Sequence, residues 1–151
     1  MPITFVNGDP LLTRAQTLAF GYNALGKSEP TPFITRLLDH APAAFSTYAK
    51  QCRSGRIHAG GLWLWPEAQP NLLFLTVRES ATSSTRPRHI ETALLTIARD
   101  YRLYSLRSIA VAALSDSLDW PMIKPLVTHW LGNCPLPVVV YESILPGVMG
   151  E

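Results

Sequence analysis

The stretch Ser108-Ile109-Ala110-Val111-Ala112-Ala113-Leu114-Ser115-Asp116-Ser117-Leu118-Asp119-Trp120 passes from an unbroken apolar run to a polar loop, and then to a helix-opening Trp120-Pro121 pair. An apolar run without alternation is the mark of a strand covered on both faces. Beyond it, residues 122–131 read as a helix and residues 138–141, Val-Val-Val-Tyr, as another buried strand. Before it, Ile90, Ala93, Leu94, Ile97, Ala98 and Tyr101 recur at helical spacing and define the strongest amphipathic helix in the chain. Residues 72–77, Leu-Leu-Phe-Leu-Thr-Val, form a strand ahead of that helix. Strand, helix, strand, helix, strand predicts parallel strands with helices packed on their faces. The expected fold is a three-layer α/β/α sandwich with a mixed, largely parallel sheet.

Working outward, residues 3–6 read as a first strand ended by the turn Asn7-Gly8-Asp9-Pro10, and residues 17–22 as a second running into Asn23. Phe33, Ile34, Leu37 and Leu38 share one helical face, with Pro32 suited to the first turn. A second helical segment opens at Pro42, carries Phe45, Tyr48, Ala49 and Cys52, and stops at Gly55. Residues 60–65 pair with residues 72–77 through a hairpin-length connection. One domain spans residues 1–142, and residues 143–151, rich in Gly and Pro, read as a C-terminal tail.

The totals narrow the function classes. With 47% hydrophobic and 16% charged residues the chain is globular, and 151 residues suit one domain. A net charge of +2 lacks the excess of a general nucleic-acid binder, although Arg78, Arg86, Arg88, Arg99, Arg102 and Arg107 crowd one third of the chain. Cys52 and Cys134 stand alone, and the N-terminus enters a strand-like run with no leader pattern, so a cytoplasmic location is expected. No apolar run is long enough to span a membrane. His40, His58, His89 and His129 have no metal-ligand spacing, and neither a metal nor a cofactor is expected.

In parallel sheets ligands bind beyond the carboxyl ends of the strands, which directs attention to the segments after Val6, Tyr22, Val77 and Ala113. The run Ser80, Thr82, Ser83, Ser84, Thr85, Arg86 and Arg88 reads either as an anion site at a helix start or as a solvated loop. Asp119 reads as the N-cap of the helix that follows, with Pro121 at its second position.

Together these four segments resemble the macrodomains, the ADP-ribose-recognition fold, and in particular the subgroup of terminal ADP-ribose protein glycohydrolases and antitoxins that reverse ADP-ribosylation of DNA. The resemblance places Gly8-Asp9 where the family's acidic residue meets the adenine amino group. It places Asn23 and Gly26-Lys27 at the loop around the ribose and phosphates, and Thr76-Val77-Arg78 at the strand end bearing the family's Thr-Lys. Ser115, Asp116 and Ser117 fall in the second phosphate loop, with Asp116 at the position of the catalytic acid. The implied ligand is ADP-ribose or an ADP-ribosylated protein or DNA, and the implied activity is hydrolysis of the ADP-ribosyl linkage. Three departures accompany these matches. Ala112-Ala113-Leu114 stands for the family's Gly-Cys-Gly, Ser28-Glu29-Pro30-Thr31-Pro32 replaces a glycine-rich loop, and Val77 takes the place of the subgroup's nucleophilic lysine. Arg78, always protonated, cannot serve as that nucleophile. Two alternatives stay open: a protein-interaction module whose cleft is filled by Leu114 and the Pro-rich loop, and a binder of another nucleotide or of nucleic acid through the Arg cluster.

Overall fold

A computed structural model describes residues 3–151. Six strands form one sheet: β1 (Ile3–Gly8), β2 (Thr17–Asn23), β3 (Leu62–Trp65), β4 (Asn71–Arg78), β5 (Ile109–Ala112) and β6 (Val138–Ile144). The strand order is β1-β6-β5-β2-β4-β3, parallel throughout except for the β3–β4 hairpin. Four helices complete the domain: α1 (Pro32–His40), α2 (Pro42–Arg53), α3 (Pro87–Asp100) and α4 (Trp120–Leu131).

The period-2 alternation of each central strand divides its side chains between two cores. On one face Phe20, Tyr22, Leu72, Phe74, Ala110 and Ala112 pack against Phe33, Ile34 and Leu37 of α1 and Phe45 and Tyr48 of α2. On the other, Ala19, Leu73, Leu75, Val77, Ile109 and Val111 pack against Ile90, Leu94 and Ile97 of α3 and Ile123, Val127 and Leu131 of α4. The sandwich is therefore three layers deep, as the alternating second half requires. The strand at residues 17–23 is more central than its short sequence signal suggests, since all seven of its residues are buried. Aromatic rings fill the first core, where Tyr48 stacks on Phe74 with centroids 4.4 Å apart.

Helix boundaries follow local chemistry. Thr31 caps α1, its hydroxyl accepting from Ile34 N at 3.2 Å, and Pro32 sits at the first helical position, where a missing N–H costs nothing. At α4 the expectation for Asp119 fails: its side chain makes no cap hydrogen bond. Asp116 Oδ1 instead accepts from Leu118 N at 3.0 Å and Asp119 N at 3.2 Å. Its carboxylate thereby closes the turn one step earlier.

The last strand continues through Ile144, and residues 145–151 fold back over the end of β1. Leu145 N donates to Gly8 O at 2.8 Å and Asp9 N to Val148 O at 2.7 Å. The Tyr141 hydroxyl hydrogen-bonds the Glu151 carboxylate, which also accepts from Arg14 N. Gly8 is a glycine because this segment crosses it: an added Cβ would lie 2.7 Å from Gly150 N and Cα.

Candidate functional site

A cavity of about 800 Å³ opens above the carboxyl ends of the parallel strands, within the range that nucleotide-sized ligands use. Four strand-end segments meet in it. Glu29, Thr31, Pro32, Phe33, Ile34 and Arg36 follow β2. Ala81, Ser83, Ser84 and Thr85 follow β4. Ala113, Ser115, Asp116 and Asp119 follow β5, while Ile144 and Pro146 belong to the end of β6 and the tail. The position has a topological cause. The chain leaves β2 for helices on one face of the sheet and leaves the neighbouring β5 for α4 on the other, so a crevice must open between the two strand ends. Gly21 N donates to Ala113 O at 3.2 Å across that crevice. A Cβ on Gly21 would lie 2.5 Å from Leu114 O, so glycine is required for this approach.

Arg78, at the end of β4, organises the cavity floor. Its Nη1 donates to both Glu29 carboxylate oxygens at 2.8 Å, its Nε to the Thr85 hydroxyl at 2.9 Å and its Nη2 to Leu114 O at 3.2 Å. The guanidinium is thus fixed between the segments after β2, β4 and β5. Glu29 is buried, and such a carboxylate persists only because Arg78 and Asn23 meet it. Glu29, in the loop that stands in place of a glycine-rich one, is neutralised by the arginine at the β4 end.

The sequence candidates separate into those that reach the cavity and those that support it. Arg78, Ser115 and Asp116 line it. Asn23 lies beneath, fully buried, with every amide position used: Nδ2 donates to Lys27 O at 2.7 Å and Glu29 Oε2 at 2.8 Å, while Oδ1 accepts from Lys27 N and Leu25 N. It shapes the loop that carries Lys27 and Glu29. Gly26 turns that loop at φ +68°, tight against Ala49 Cα of α2, and Lys27, exposed, is absent from the cavity lining. Thr76 is buried on the α1/α2 side, where its hydroxyl meets Tyr48 Oη at 2.9 Å. Gly8 lies under the tail. Ser117, exposed, borders a smaller neighbouring hollow of about 310 Å³ shared with Trp120 and Tyr141.

Asp9 is 2% exposed and is absent from the cavity lining. Its Oδ2 accepts from Arg36 Nη2 at 2.5 Å and Gly147 N at 2.9 Å, and its Oδ1 from Leu11 N at 3.0 Å. Burial opposes its ionisation, but these three hydrogen bonds and the Arg36 charge outweigh burial and hold the carboxyl below its ordinary range. The residue that faces the cavity at this end is Arg36. Sequence reasoning missed Arg36 and read Asp119 only as a helix cap; Asp119 lines the cavity and accepts from the Ser115 hydroxyl at 2.6 Å. Leu114 does not plug the cavity but is buried in the α3/α4 core. Ala113 adopts φ +51°, a left-handed conformation that glycine takes freely and alanine takes at a cost.

Among the described residues, no group of three or more His, Cys, Asp or Glu side chains is arranged to hold a metal ion, and no helix is long and apolar enough to cross a membrane.

A mixed sheet in this order, with two helices on each face and a cavity over the β2/β5 crevice, is the macrodomain fold. The solved structures that share it show this directly. The macrodomain of Thermus aquaticus DarG superposes with a TM-score of 0.82 at 22% identity, covering 92% of this chain and 97% of that one. Thermosipho africanus DarTG in complex with ADP-ribose gives 0.84 at 21% identity over 97% of this chain and 42% of that one. The macrodomain of Mycobacterium tuberculosis DarG gives 0.80 at 20% identity, covering 92% and 96%. A curated relative, the DNA ADP-ribosyl transferase-DNA ADP-ribosyl glycohydrolase fusion protein of Thermosipho africanus (strain H17ap60334), is 24% identical over 97% of this chain. The chain spans 44% of that relative's length. No family model matches the sequence.

Proposed function

We propose that the cavity binds the ADP-ribosyl group of a modified DNA or protein, and that the linkage is hydrolysed there by water activated at Asp116. The observation that carries this reading is the convergence of four strand-end segments on one cavity, in a fold shared with a protein whose structure was solved with ADP-ribose. Arg78, paired with Glu29, fixes the cavity floor, and Thr31, Ser83, Ser84 and Thr85 supply hydroxyls for sugar or phosphate oxygens.

The route avoids a covalent enzyme–ribose adduct. Val77 is fully buried in the α3/α4 core, and the neighbouring Arg78 is locked by Glu29. Asp116 engages the backbone through Oδ1, and among the described residues its Oδ2 has no hydrogen-bond partner. In the proposed step Asp116 takes a proton from water, whose oxygen attacks the anomeric carbon. The bond to the base or acyl oxygen breaks, and the proton passes to the departing group.

The test uses ADP-ribosylated DNA and ADP-ribosylated protein with the unmodified chain and the Asp116→Ala variant. Turnover of one substrate by the unmodified chain, falling about 100-fold or more in the variant with ligand affinity within a few-fold, is the expected result. Unchanged turnover in Asp116→Ala refutes the catalytic assignment. A trapped covalent adduct refutes the water route.

One feature favours a second reading, a macrodomain used for protein interaction. Asp9, Asn23 and Arg78 already have protein partners, and Leu118 (89% exposed) and Met122 (61%) are exposed apolar side chains close in sequence to the cavity-lining Asp116 and Asp119. Failure of the unmodified chain to bind any ADP-ribosyl compound would favour that reading.

A further inference from the structure

Hydroxyl groups line two sides of the cavity, and the hydrogen bonds they already make fix what each can offer a ligand. A serine or threonine hydroxyl has one proton to give and lone pairs to receive with. On the side that follows β5, the Ser115 hydroxyl donates its proton to Asp119 Oδ2 at 2.6 Å. Toward a ligand it can only accept. Its neighbours in the lining, Asp116 and Asp119, are carboxylates, and neither forms an ion pair among the described residues. This side presents acceptors and negative charge.

The side that follows β4 is the reverse. Thr85 Oγ1 accepts from Arg78 Nε at 2.9 Å. A guanidinium only donates, so the threonine keeps its own proton to give. Ser84, exposed, lines the cavity and has no hydrogen-bond partner among the described residues. The lining from Ala81 to Thr85 carries no acid; exposed Glu79, 3.3 Å from His89 Nε2, is absent from it. Arg86 and Arg88 follow at once, both exposed and without an ion pair among the described residues. One guanidinium joins the two sides: Arg78 meets Thr85 through Nε and Leu114 O through Nη2, while Glu29 offsets its charge. The polarity of the cavity turns over within the span of that side chain.

We infer that the loop after β4 is the phosphate subsite of this cavity, with Ser84 and Thr85 donating to the ligand's pyrophosphate, and that the loop after β5 receives the hydroxyls of the ribose bearing the linkage. Pyrophosphate oxygens accept and are anionic. Beside Asp116 and Asp119 they would be repelled, and Ser115 has no proton left for them. A ribose diol carries the donors that Ser115 Oγ and Asp116 Oδ2 can receive. The ligand is thereby turned with its anomeric carbon toward Asp116. This departs from the place that the sequence resemblance gives a phosphate, at residues 115–117. The inference rests on the reading of the cavity as an ADP-ribosyl site.

Isothermal titration calorimetry with ADP-ribose and ADP tests it, because ADP carries the two phosphates but lacks the second ribose. The double variant Ser84→Ala/Thr85→Val should bind both ligands about tenfold or more weakly than the unmodified protein. Ser115→Ala should weaken ADP-ribose by about threefold or more and leave ADP unchanged. Melting temperatures confirm that each variant is folded. Ser84→Ala alone removes no hydrogen bond among the described residues, so it keeps the test open if the double variant does not fold, and it should weaken both ligands by about threefold. Undiminished affinity for both ligands in the folded Ser84 and Thr85 variants overturns the phosphate assignment and leaves the ADP-ribosyl reading standing. Equal losses of ADP and ADP-ribose in Ser115→Ala overturn the ribose assignment. Binding of neither ligand by the unmodified protein overturns the inference and the reading together.

Discussion

Asp9 shows how one residue can change role without changing place. It follows the first strand, where a ligand contact is expected, yet its carboxylate joins Arg36, Leu11 N and Gly147 N and so ties the first strand end to α1 and to the tail. Replacing Asp9 by Ala leaves a buried guanidinium nitrogen and a backbone N–H unpaired, and should cost about 2–4 kcal/mol in urea denaturation. The linkage sign follows from the lowered folded value. Asp9 contributes its stability in full above the unfolded carboxyl value of 3.8, and the contribution is lost as pH falls through the lower folded value. Asp9→Asn should therefore flatten the acid limb of a stability–pH profile; an unaltered limb would contradict this. Ala113 offers the opposite case. Ala113→Gly removes the Cβ penalty at φ +51° and should stabilise by up to about 1 kcal/mol, read as a melting temperature about 2–4 °C higher. At this scale the sequence showed which residues follow strands but not whom they meet. Arg36 lies 27 residues from Asp9 and Arg78 lies 49 from Glu29, and no local spacing announces either pair.

At the scale of elements, periodicity carried most of the reading. The helical spacing of Ile90, Ala93, Leu94 and Ile97 and the apolar run at Ile109–Ala112 depend only on which face is buried, and both elements form where that pattern lies. The tail is different, because Gly and Pro at residues 146–150 signal irregular backbone and say nothing about what that backbone touches. Its hydrogen bonds to Gly8, Asp9, Arg14 and Tyr141 make it part of the domain. Ending the chain after Ile144 should cost about 2 kcal/mol or more and raise hydrogen exchange at the end of β1. A truncated chain with unchanged stability would show that the tail is only laid on the surface. The Pro-rich loop after β2 was equally opaque. Pro30 and Pro32 remove N–H donors, but the loop's shape is set by the saturated Asn23 amide beneath it.

For the whole molecule, the three layers and the parallel sheet were legible because alternating strands and helices admit few arrangements. The placement of the cavity was legible too, since it follows from where β2 and β5 send their chains. Its lining was not, because a fold fixes where a site lies and the side chains fix what it accepts. The lining carries Arg36 and Arg78 against Glu29, Asp116 and Asp119, a balance less welcoming to a pyrophosphate than a glycine-rich loop of free N–H groups. ADP-ribose should accordingly bind with micromolar affinity at best. The central claim is that an ADP-ribosyl ligand occupies this cavity, and backbone amide NMR shifts during an ADP-ribose titration test it most directly. Saturable shifts at residues 31–36, 83–85 and 113–116, with little change on the outer faces of α3 and α4, are the predicted result. No saturable shifts, or shifts confined to surfaces away from those three segments, would contradict it.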